Sequence, residues 1–190
     1  IGGRLRGRKL HSAGGLKVRP TSSRAREAIF DIIGSCEGLE VLDLFAGSGA
    51  LGLEALSRGA DSAVFVDSSS SAIRMIRQNV SLCGMDQHST ILQGEAGRIV
   101  RKLATAGRRF SLIFLDPPYE KGLVVKTLSL IADSGIISAE STVVAEHRTT
   151  EAIPENIKNL RCADRRRYGD TAITFWEQCS SLSSETYASL

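Results

Sequence analysis

The sequence lacks several features that would each define a class of protein. No apolar run approaches the ~20 residues that span a bilayer, which argues against a membrane protein. The four cysteines are far apart and form no C-x-x-C pair. Neither a zinc site nor a disulfide framework is therefore indicated, and reduced thiols of an intracellular protein are the better interpretation. No acidic residue occurs before Glu27.

The acid-free start of the chain carries eight Lys or Arg residues, whereas the rest has 16 basic and 21 acidic residues. A basic arm on a mildly acidic body is expected to bind a polyanion such as a nucleic acid. A solvated, disordered tail would show the same charge pattern. The cations assigned to a candidate nucleic-acid interface are Arg4, Arg6, Arg8, Lys9, Arg19, Arg24 and Arg26.

The body of the chain alternates short apolar runs with helical stretches, which predicts an α/β fold with a parallel sheet covered on both faces. The predicted strands are 41–45, 63–66, 90–93, 110–115 and 142–146, and the helices are 51–58, 70–83, 96–106 and 123–132. Residues 160–167 and 171–177 are predicted to form an antiparallel hairpin.

The division into parts follows from composition. Residues 1–35 are predicted to be the basic arm and a helix packed on the body, and residues 36–178 the main domain. The Ser-rich segment 179–190 is predicted to be a disordered tail. The helix has a predicted apolar stripe made by Ala25, Ala28, Ile29, Ile32 and Ile33.

A glycine-rich loop follows the first strand. It contains G-x-G-x-x-G at Gly47, Gly49 and Gly52, and Asp67 ends the second strand. A dinucleotide-dependent dehydrogenase is the obvious interpretation. However, Asp43 just before the glycines would repel a pyrophosphate, whereas it suits the ammonium group of S-adenosylmethionine. The candidate cofactor residues are Asp43, Phe45, Ala46, Gly47, Ser48, Gly49, Asp67, Ser68, Glu95 and Ala96.

The candidate catalytic residues are Asp116, Pro117, Pro118 and Tyr119, directly after the apolar run 110–115. The prolines lack N–H donors, so this turn presents the Asp116 carboxylate and carbonyl oxygens, which are acceptors. An exocyclic amine supplies two donors to such a turn, and Tyr119 can stack on the ring that carries the amine. A rigid turn without a ligand is the alternative.

Other residues have two interpretations each. Glu95 could accept from an adenine amine or simply favour the start of a helix. His147 is expected to be a structural hydrogen-bonding residue, and Trp176 a core residue. The run 165–167, three arginines, is either a solvated hairpin face or a second RNA contact.

The chain resembles the bacterial-type 16S rRNA (guanine-N2)-methyltransferase family (RsmD-like) over nearly its whole length. The resemblance is carried by Ile1-Gly2-Gly3 with the basic run that follows, Arg19-Pro20-Thr21, the segments 24–30 and 43–49, Asp116–Tyr119, Glu146-His147 and Tyr168–Thr171. It implies a Rossmann-like class I methyltransferase fold with a seven-stranded, mostly parallel sheet and an appended antiparallel hairpin. It also implies S-adenosyl-L-methionine as cofactor and a guanine of small-subunit rRNA as substrate.

The residues are also compatible with other functions. They are another amine methyltransferase acting on adenine N6 or on protein glutamine, an NAD-dependent oxidoreductase, and a non-catalytic RNA-binding ribosome-assembly factor. The expected partner is small-subunit rRNA or an assembling small ribosomal subunit, with no metal and no membrane, and the protein is expected to be a monomer. Its expected location is intracellular: the cytoplasm in a bacterium, or the chloroplast or mitochondrion in a eukaryote.

Overall fold

The computed structural model describes residues 1–12, 23–119 and 122–179. These residues form the strands β1 Glu40–Leu44, β2 Ser62–Asp67, β3 Ser89–Gln93, β4 Phe110–Leu115, β5 Ile137–Arg148, β6 Asn156–Ile157, β7 Leu160–Tyr168 and β8 Thr171–Gln178. The helices are α1 Ser23–Ile33, α2 Ala50–Ser57, α3 Ser70–Cys83, α4 Ala96–Thr105 and α5 Leu123–Ser134. Within the described ranges, no helix has the length and apolar character needed to cross a membrane.

The described strands form one sheet in the order β3-β2-β1-β4-β5-β8-β7-β6. β1 to β5 are parallel, and β8 is antiparallel to both β5 and β7. The family resemblance implies seven strands. The additional strand, β6, lies at the edge of the sheet and has only two residues, which pair with β7, so it is too short to have an apolar pattern in the sequence.

Each face of the sheet packs on its own set of helices. One core cluster joins α1, α2 and α3 to the sheet and includes Phe30, Phe65 and Phe114. The other joins α4 and α5 to the opposite face and includes Phe110 and Trp176. Trp176 is fully buried and its indole N–H donates to Thr174 Oγ1 at 3.0 Å, which confirms its expected place in the core.

β5 is longer than the predicted strand 142–146. It begins at Ile137 because Ile137 pairs with Phe110 before a register shift in the pairing with β4. At this irregularity the hydroxyls of Ser138 and Ser141 both donate to the Phe110 carbonyl, at 3.0 and 2.8 Å. Polar side chains thus replace part of the backbone pairing. Because residues 138–141 are polar or small, the apolar pattern in the sequence did not predict this part of β5.

The buried face of α1 differs from the predicted stripe. Ala25 and Ile29 are buried as predicted, but Ile32 is 43% exposed and Phe30 is fully buried. The Phe30 ring packs against the Phe114 ring, with centroids 5.7 Å apart, and the Arg58 guanidinium lies 5.0 Å from its centroid. Contact with an aromatic residue of β4 therefore sets the rotation of the helix.

The first residues of the chain are docked on α2. The Gly2 N–H donates to both carboxylate oxygens of Glu54, and the Leu5 N–H donates to Ser57 Oγ at 2.8 Å. A Cβ at Gly2 would lie 2.7 Å from Glu54 Oε1, and one at Gly3 2.4 Å from the Ser57 carbonyl oxygen. Glycine is therefore required at position 3, where the backbone has a positive φ of 59° and lies against the backbone of α2, whereas at position 2 the Glu54 side chain would have to move.

Candidate active site

The glycine loop between β1 and α2 owes its shape to three glycines with different roles. Gly47 and Gly49 have positive φ angles of 57° and 77°, which glycine adopts without strain. Gly52 lies where a Cβ would be 2.4 Å from Cε1 of Phe65, so α2 can approach β2 only with glycine there. Phe45 also has a positive φ, 64°, a strained value for a bulky residue at the start of a binding loop.

Asp67, at the end of β2, holds the glycine loop in place. Its Oδ2 accepts from the Gly47 N–H at 2.9 Å, and its Oδ1 accepts from the Ser69 N–H at 2.8 Å. Each carboxylate oxygen has a second lone pair. Asp67 can therefore bind a pair of ribose hydroxyls while keeping both contacts to the loop.

Asp43 is more enclosed than a simple ligand-facing carboxylate. It is 1% exposed, and its Oδ2 accepts from the Gly52 N–H at 3.0 Å. Burial raises the pKa of Asp43 to about 7, partly offset by the hydrogen bond from Gly52. A nearby cation would reverse much of that shift, so this carboxyl is suited to binding a positively charged group.

The remaining candidate cofactor residues lie at the ends of β2 and β3. Ser68 follows Asp67 and is exposed, and Ala96 is buried as the first residue of α4. Glu95 is the N-cap residue of α4, but its side chain makes no capping hydrogen bond. Its exposed carboxylate lies at the start of the helix, where the helix dipole favours an acid without any capping bond, so both interpretations of Glu95 stand.

The turn Asp116–Tyr119, called the acceptor turn below, follows β4, which lies directly beside β1 in the sheet. Pro117 is buried, Asp116 is half-buried and Pro118 is exposed. Because both strands are parallel, their carboxyl ends meet at one edge, and the turn faces the glycine loop across it. The structure thus brings together the two groups of residues that the sequence assigned to cofactor and catalysis.

Tyr119 is held by three groups from β5 and β8. Its hydroxyl donates to Glu146 Oε1 at 2.8 Å and has a second hydrogen bond with the Thr171 side chain. The Arg148 guanidinium lies over one face of the ring, 5.3 Å from the centroid. Burial and the adjacent Glu146 carboxylate raise the pKa of Tyr119, so the phenol stays protonated. A base could stack only on the face opposite Arg148.

The candidate nucleic-acid cations are not equivalent. Arg4, Arg6, Arg8, Lys9 and Arg24 are exposed. Arg26 is partly buried, and its Nε lies 3.7 Å from Glu54 Oε2, so this guanidinium belongs to the cluster that anchors the arm. Arg19, with the Arg19-Pro20-Thr21 stretch, lies outside the described residues, as does most of the predicted tail.

A buried asparagine that the sequence reasoning missed connects the arm to the glycine loop. Asn79 of α3 exchanges two hydrogen bonds with the His11 backbone, at 2.7 and 3.0 Å, and also donates to the Ser48 carbonyl at 2.9 Å. Glu54 of α2 was missed in the same way. In both cases a polar residue on the buried face of a helix was the available signal.

The order of the strands decides the class of protein. Dinucleotide-binding sheets with the strand order 3-2-1-4-5-6 are mostly parallel. Here the antiparallel strand β8 lies next to β5, between it and β7. Together with an acceptor turn beside the glycine loop, this is the fold of the α/β, S-adenosylmethionine-dependent methyltransferases. No cluster of His, Cys, Asp or Glu suited to a metal ion occurs in the described part of the chain.

Comparison with known proteins places the chain in a family within this class. It belongs to the family described as Conserved hypothetical protein 95, whose model matches residues 1–177. The Bacillus subtilis protein YlbH is 35% identical over 94% of this chain and 97% of its own. The Escherichia coli Ribosomal RNA small subunit methyltransferase D is 34% identical over 94% of this chain and 88% of its own. The structure of a hypothetical protein of Thermus thermophilus superposes with a TM-score of 0.78, at 30% identity, over 93% of this chain and 96% of its own.

Proposed function

We propose that this protein transfers a methyl group from S-adenosylmethionine to the exocyclic N2 amine of a guanine in small-subunit ribosomal RNA. The observation that carries the proposal is the meeting of the glycine loop and the turn Asp116–Tyr119 at one edge of the sheet. The name of the Escherichia coli relative supports the substrate, since it specifies small-subunit ribosomal RNA. The exposed cations of residues 4–9 suit a polyanionic partner.

The residues around the glycine loop fit the methyl donor in kind. Asp67 accepts from the ribose hydroxyls, and Glu95 accepts from the adenine amine. Asp43 pairs with the ammonium group, since its carboxyl is buried and residues 45–49 of the loop include no Lys or Arg to neutralise it. S-adenosylmethionine supplies an electrophilic methyl group on its sulfonium centre.

The turn after β4 orients the acceptor. The Asp116 carboxylate and the Pro117 carbonyl accept the two N–H bonds of the guanine amine, which aims its lone pair at the donor side of the edge. Because the amine is conjugated with the ring and is a weak nucleophile, positioning and electrostatics account for most of the acceleration. Asp116 then receives the proton that the amine loses.

The target base has to leave its stack to enter this site. Extrusion costs a few kcal/mol. Stacking of the base on the open face of Tyr119 returns about 1–3 kcal/mol. Contacts between phosphates and arginines or lysines supply the remainder.

The decisive experiment incubates the protein with a labelled methyl donor and small ribosomal subunits from cells that lack this modification. Label is expected in N2-methylguanosine after digestion of the RNA to nucleosides. Label in N6-methyladenosine or in protein glutamine would instead identify another amine methyltransferase. Binding of donor and RNA without any transfer would identify an assembly factor.

A further inference from the structure

A pocket lies where β5, β8 and β7 run side by side, on the face of the sheet opposite Glu146. It has a volume of about 230 Å³ and is lined by His147, Thr149, Glu151, Arg165, Arg167 and Ala172. His147, Ala172 and Arg167 pair across β5, β8 and β7, so their side chains share one face. Glu146, which holds Tyr119, points to the opposite face. The pocket is thus separated from the acceptor turn by the thickness of the sheet.

His147 offers this pocket a buried hydrogen-bond acceptor. The residue is 2% exposed, and its Nδ1 lies 2.9 Å from the Arg148 carbonyl oxygen. Since a carbonyl only accepts, Nδ1 carries the proton, and Nε2 is an acceptor. Burial lowers the pKa of His147, which keeps the ring neutral. Nε2 has no hydrogen-bond partner among the described residues, which is unusual for a buried polar atom.

The charges around the pocket favour a ligand with a single negative charge. Arg165 and Arg167 contribute two positive charges and Glu151 one negative charge, while His147 is neutral. Arg165 is held towards the pocket by a hydrogen bond from its Nη2 to the Ile153 carbonyl at 3.1 Å. A phosphodiester carries one negative charge, whereas a terminal phosphate or a pyrophosphate carries more.

From this donor and acceptor set we infer that the pocket binds one ribose–phosphodiester unit of the RNA substrate: Arg165 and Arg167 bind the phosphate, and His147 Nε2 accepts from the 2′-hydroxyl. The inference rests on the proposed function, because it concerns how the same RNA is held. The volume far exceeds the ~10–15 Å³ that one water needs, so the pocket can take a group much larger than a single water. DNA lacks the 2′-hydroxyl, so this contact selects RNA.

The hydrogen bond from a 2′-hydroxyl to His147 Nε2 is tested by placing single 2′-deoxy substitutions along an RNA. The probe is the tightest-binding oligoribonucleotide from a set of fragments tiled across small-subunit rRNA, chosen by binding and not by methylation. Each deoxy substitution removes one hydroxyl and leaves every phosphate. Wild-type protein is expected to lose affinity about fivefold at one position, the size of one hydrogen bond. In His147→Phe, which keeps the ring but lacks the acceptor, that loss is expected to disappear. A position-specific loss that persists in His147→Phe, or no such position in the wild type, overturns the inference.

The test of the phosphate contact compares neighbouring arginines on opposite faces. Arg167→Gln is expected to weaken binding of the unmodified oligonucleotide and to reduce the slope of log affinity against log salt by about 1. Arg166→Gln is the matched control, because Arg166 lies on the other face and pairs with Asp164 at 2.8 Å. Equal effects of the two variants overturn the inference. This comparison of the two arginine variants can be made even if His147→Phe does not fold.

The two proposals fail in different ways. If wild-type protein methylates guanine N2 but Arg167→Gln and His147→Phe bind RNA like the wild type, the pocket assignment is wrong and the proposed function stands. If the binding results are as expected but no methyl group reaches rRNA, the pocket assignment stands and the proposed function is wrong.

Discussion

At the scale of single residues, Asp43 and Tyr119 are held by the protein's own groups, which determines what their substitution does. The Asp43 carboxylate accepts from the Gly52 N–H in the first turn of α2, the helix that follows the glycine loop. Tyr119 is bound at its hydroxyl by Glu146 and covered on one face by Arg148. Changes at these residues therefore affect the shape of the site as well as contacts to ligands.

Binding of the methyl donor is expected to depend on pH through Asp43. Its pKa is raised to about 7 in the folded protein without ligand, and a cationic donor binds the ionised form. The dissociation constant, measured by calorimetry, should rise about tenfold for each pH unit below 7. Asp43→Asn should bind weakly at every pH, with no such dependence. A wild-type constant that does not change between pH 8 and 6 would show that Asp43 only supports the loop.

The same raised pKa affects folding stability with the opposite sign from an ordinary ion-paired aspartate. Between its unfolded value of 3.8 and about 7, the folded state binds the proton more readily than the unfolded chain. The contribution of Asp43 therefore favours folding as the pH falls through this window and is lost above it.

Asp116→Ala tests the acceptor turn. The substitution removes the carboxylate that we propose orients the amine and receives its proton, so methyl transfer should fall to background. Donor affinity should stay near the wild-type value, because Asp116 follows β4, whereas Asp43 and Asp67 belong to β1 and β2. Single-turnover assays and calorimetry measure the two quantities. Wild-type activity in this variant would remove Asp116 from the mechanism.

Glu146 is expected to act as a positioning residue for Tyr119. Glu146→Ala removes the acceptor of the phenol hydroxyl and should lower the single-turnover rate roughly tenfold to a hundredfold, the size expected when a reacting group shifts by about 1 Å. Glu146→Gln keeps an acceptor oxygen and should recover most of the rate. Melting temperatures of both variants control for stability. Equal rates for the alanine and glutamine variants would argue against this role.

At the scale of elements, α2 makes two close contacts in opposite directions. Gly52 lies against Phe65 of β2, while Glu54 and Ser57 bind the first residues of the chain. Glu54 also forms an ion pair with Arg58 at 2.8 Å, one turn further along the helix. This short helix therefore fixes both the glycine loop and the arm relative to the sheet.

Gly52→Ala should destabilise the protein by about 1–3 kcal/mol, because the new methyl group would overlap the buried Phe65 ring. Gly97→Ala in α4 is the matched control. Gly97 is the second residue of α4, and its Cβ would lie 3.4 Å from the nearest atom, Cδ2 of Leu130, which is an ordinary contact, so no loss of stability is expected. Urea unfolding midpoints compare the two. A midpoint for Gly52→Ala equal to the wild type would contradict the overlap.

At the scale of the whole molecule, the arm runs from the far end of the helices towards the site. Arg8 donates to the Leu82 carbonyl near the end of α3, and His11 meets Asn79, which also binds the glycine loop. The basic arm, which lies on the α1–α3 side of the sheet, is thereby connected to the glycine loop. These hydrogen bonds involve backbone groups and the buried side-chain amide of Asn79, so residues 1–11 of the arm have a defined position on the helices.

Neutralising three cations of the arm should weaken RNA binding. Replacing Arg4, Arg6 and Arg8 by glutamine removes three cations that we propose contact phosphates, so the slope of log affinity against log salt should fall by about 2–3. The matched control replaces Arg98, Arg101 and Lys102 of α4, which are exposed on the opposite side and carry the same charge. A slope reduced equally in both triple variants would show that only net charge matters.

Much of the fold follows from local patterns. The helix 70–83 and the strand 110–115 were predicted with the bounds that the structure has, because period, capping and turn residues are contained in each segment. The path of β5 was only partly predicted, since the hydroxyls of Ser138 and Ser141 act on a carbonyl of another strand. The exposure of Ile32 likewise depends on the contact between Phe30 and Phe114.

By itself, the sequence determined most of the elements, their order along the chain and the edge at which the glycine loop and the acceptor turn meet, because these depend on spacing along the chain. Only the tertiary structure decided that Arg26 pairs with Glu54, that Glu146 and Arg148 hold Tyr119, and that His147 opens onto a basic pocket. Each of those contacts joins residues far apart in the chain. Their geometry depends on how helices and strands pack, which no local pattern records.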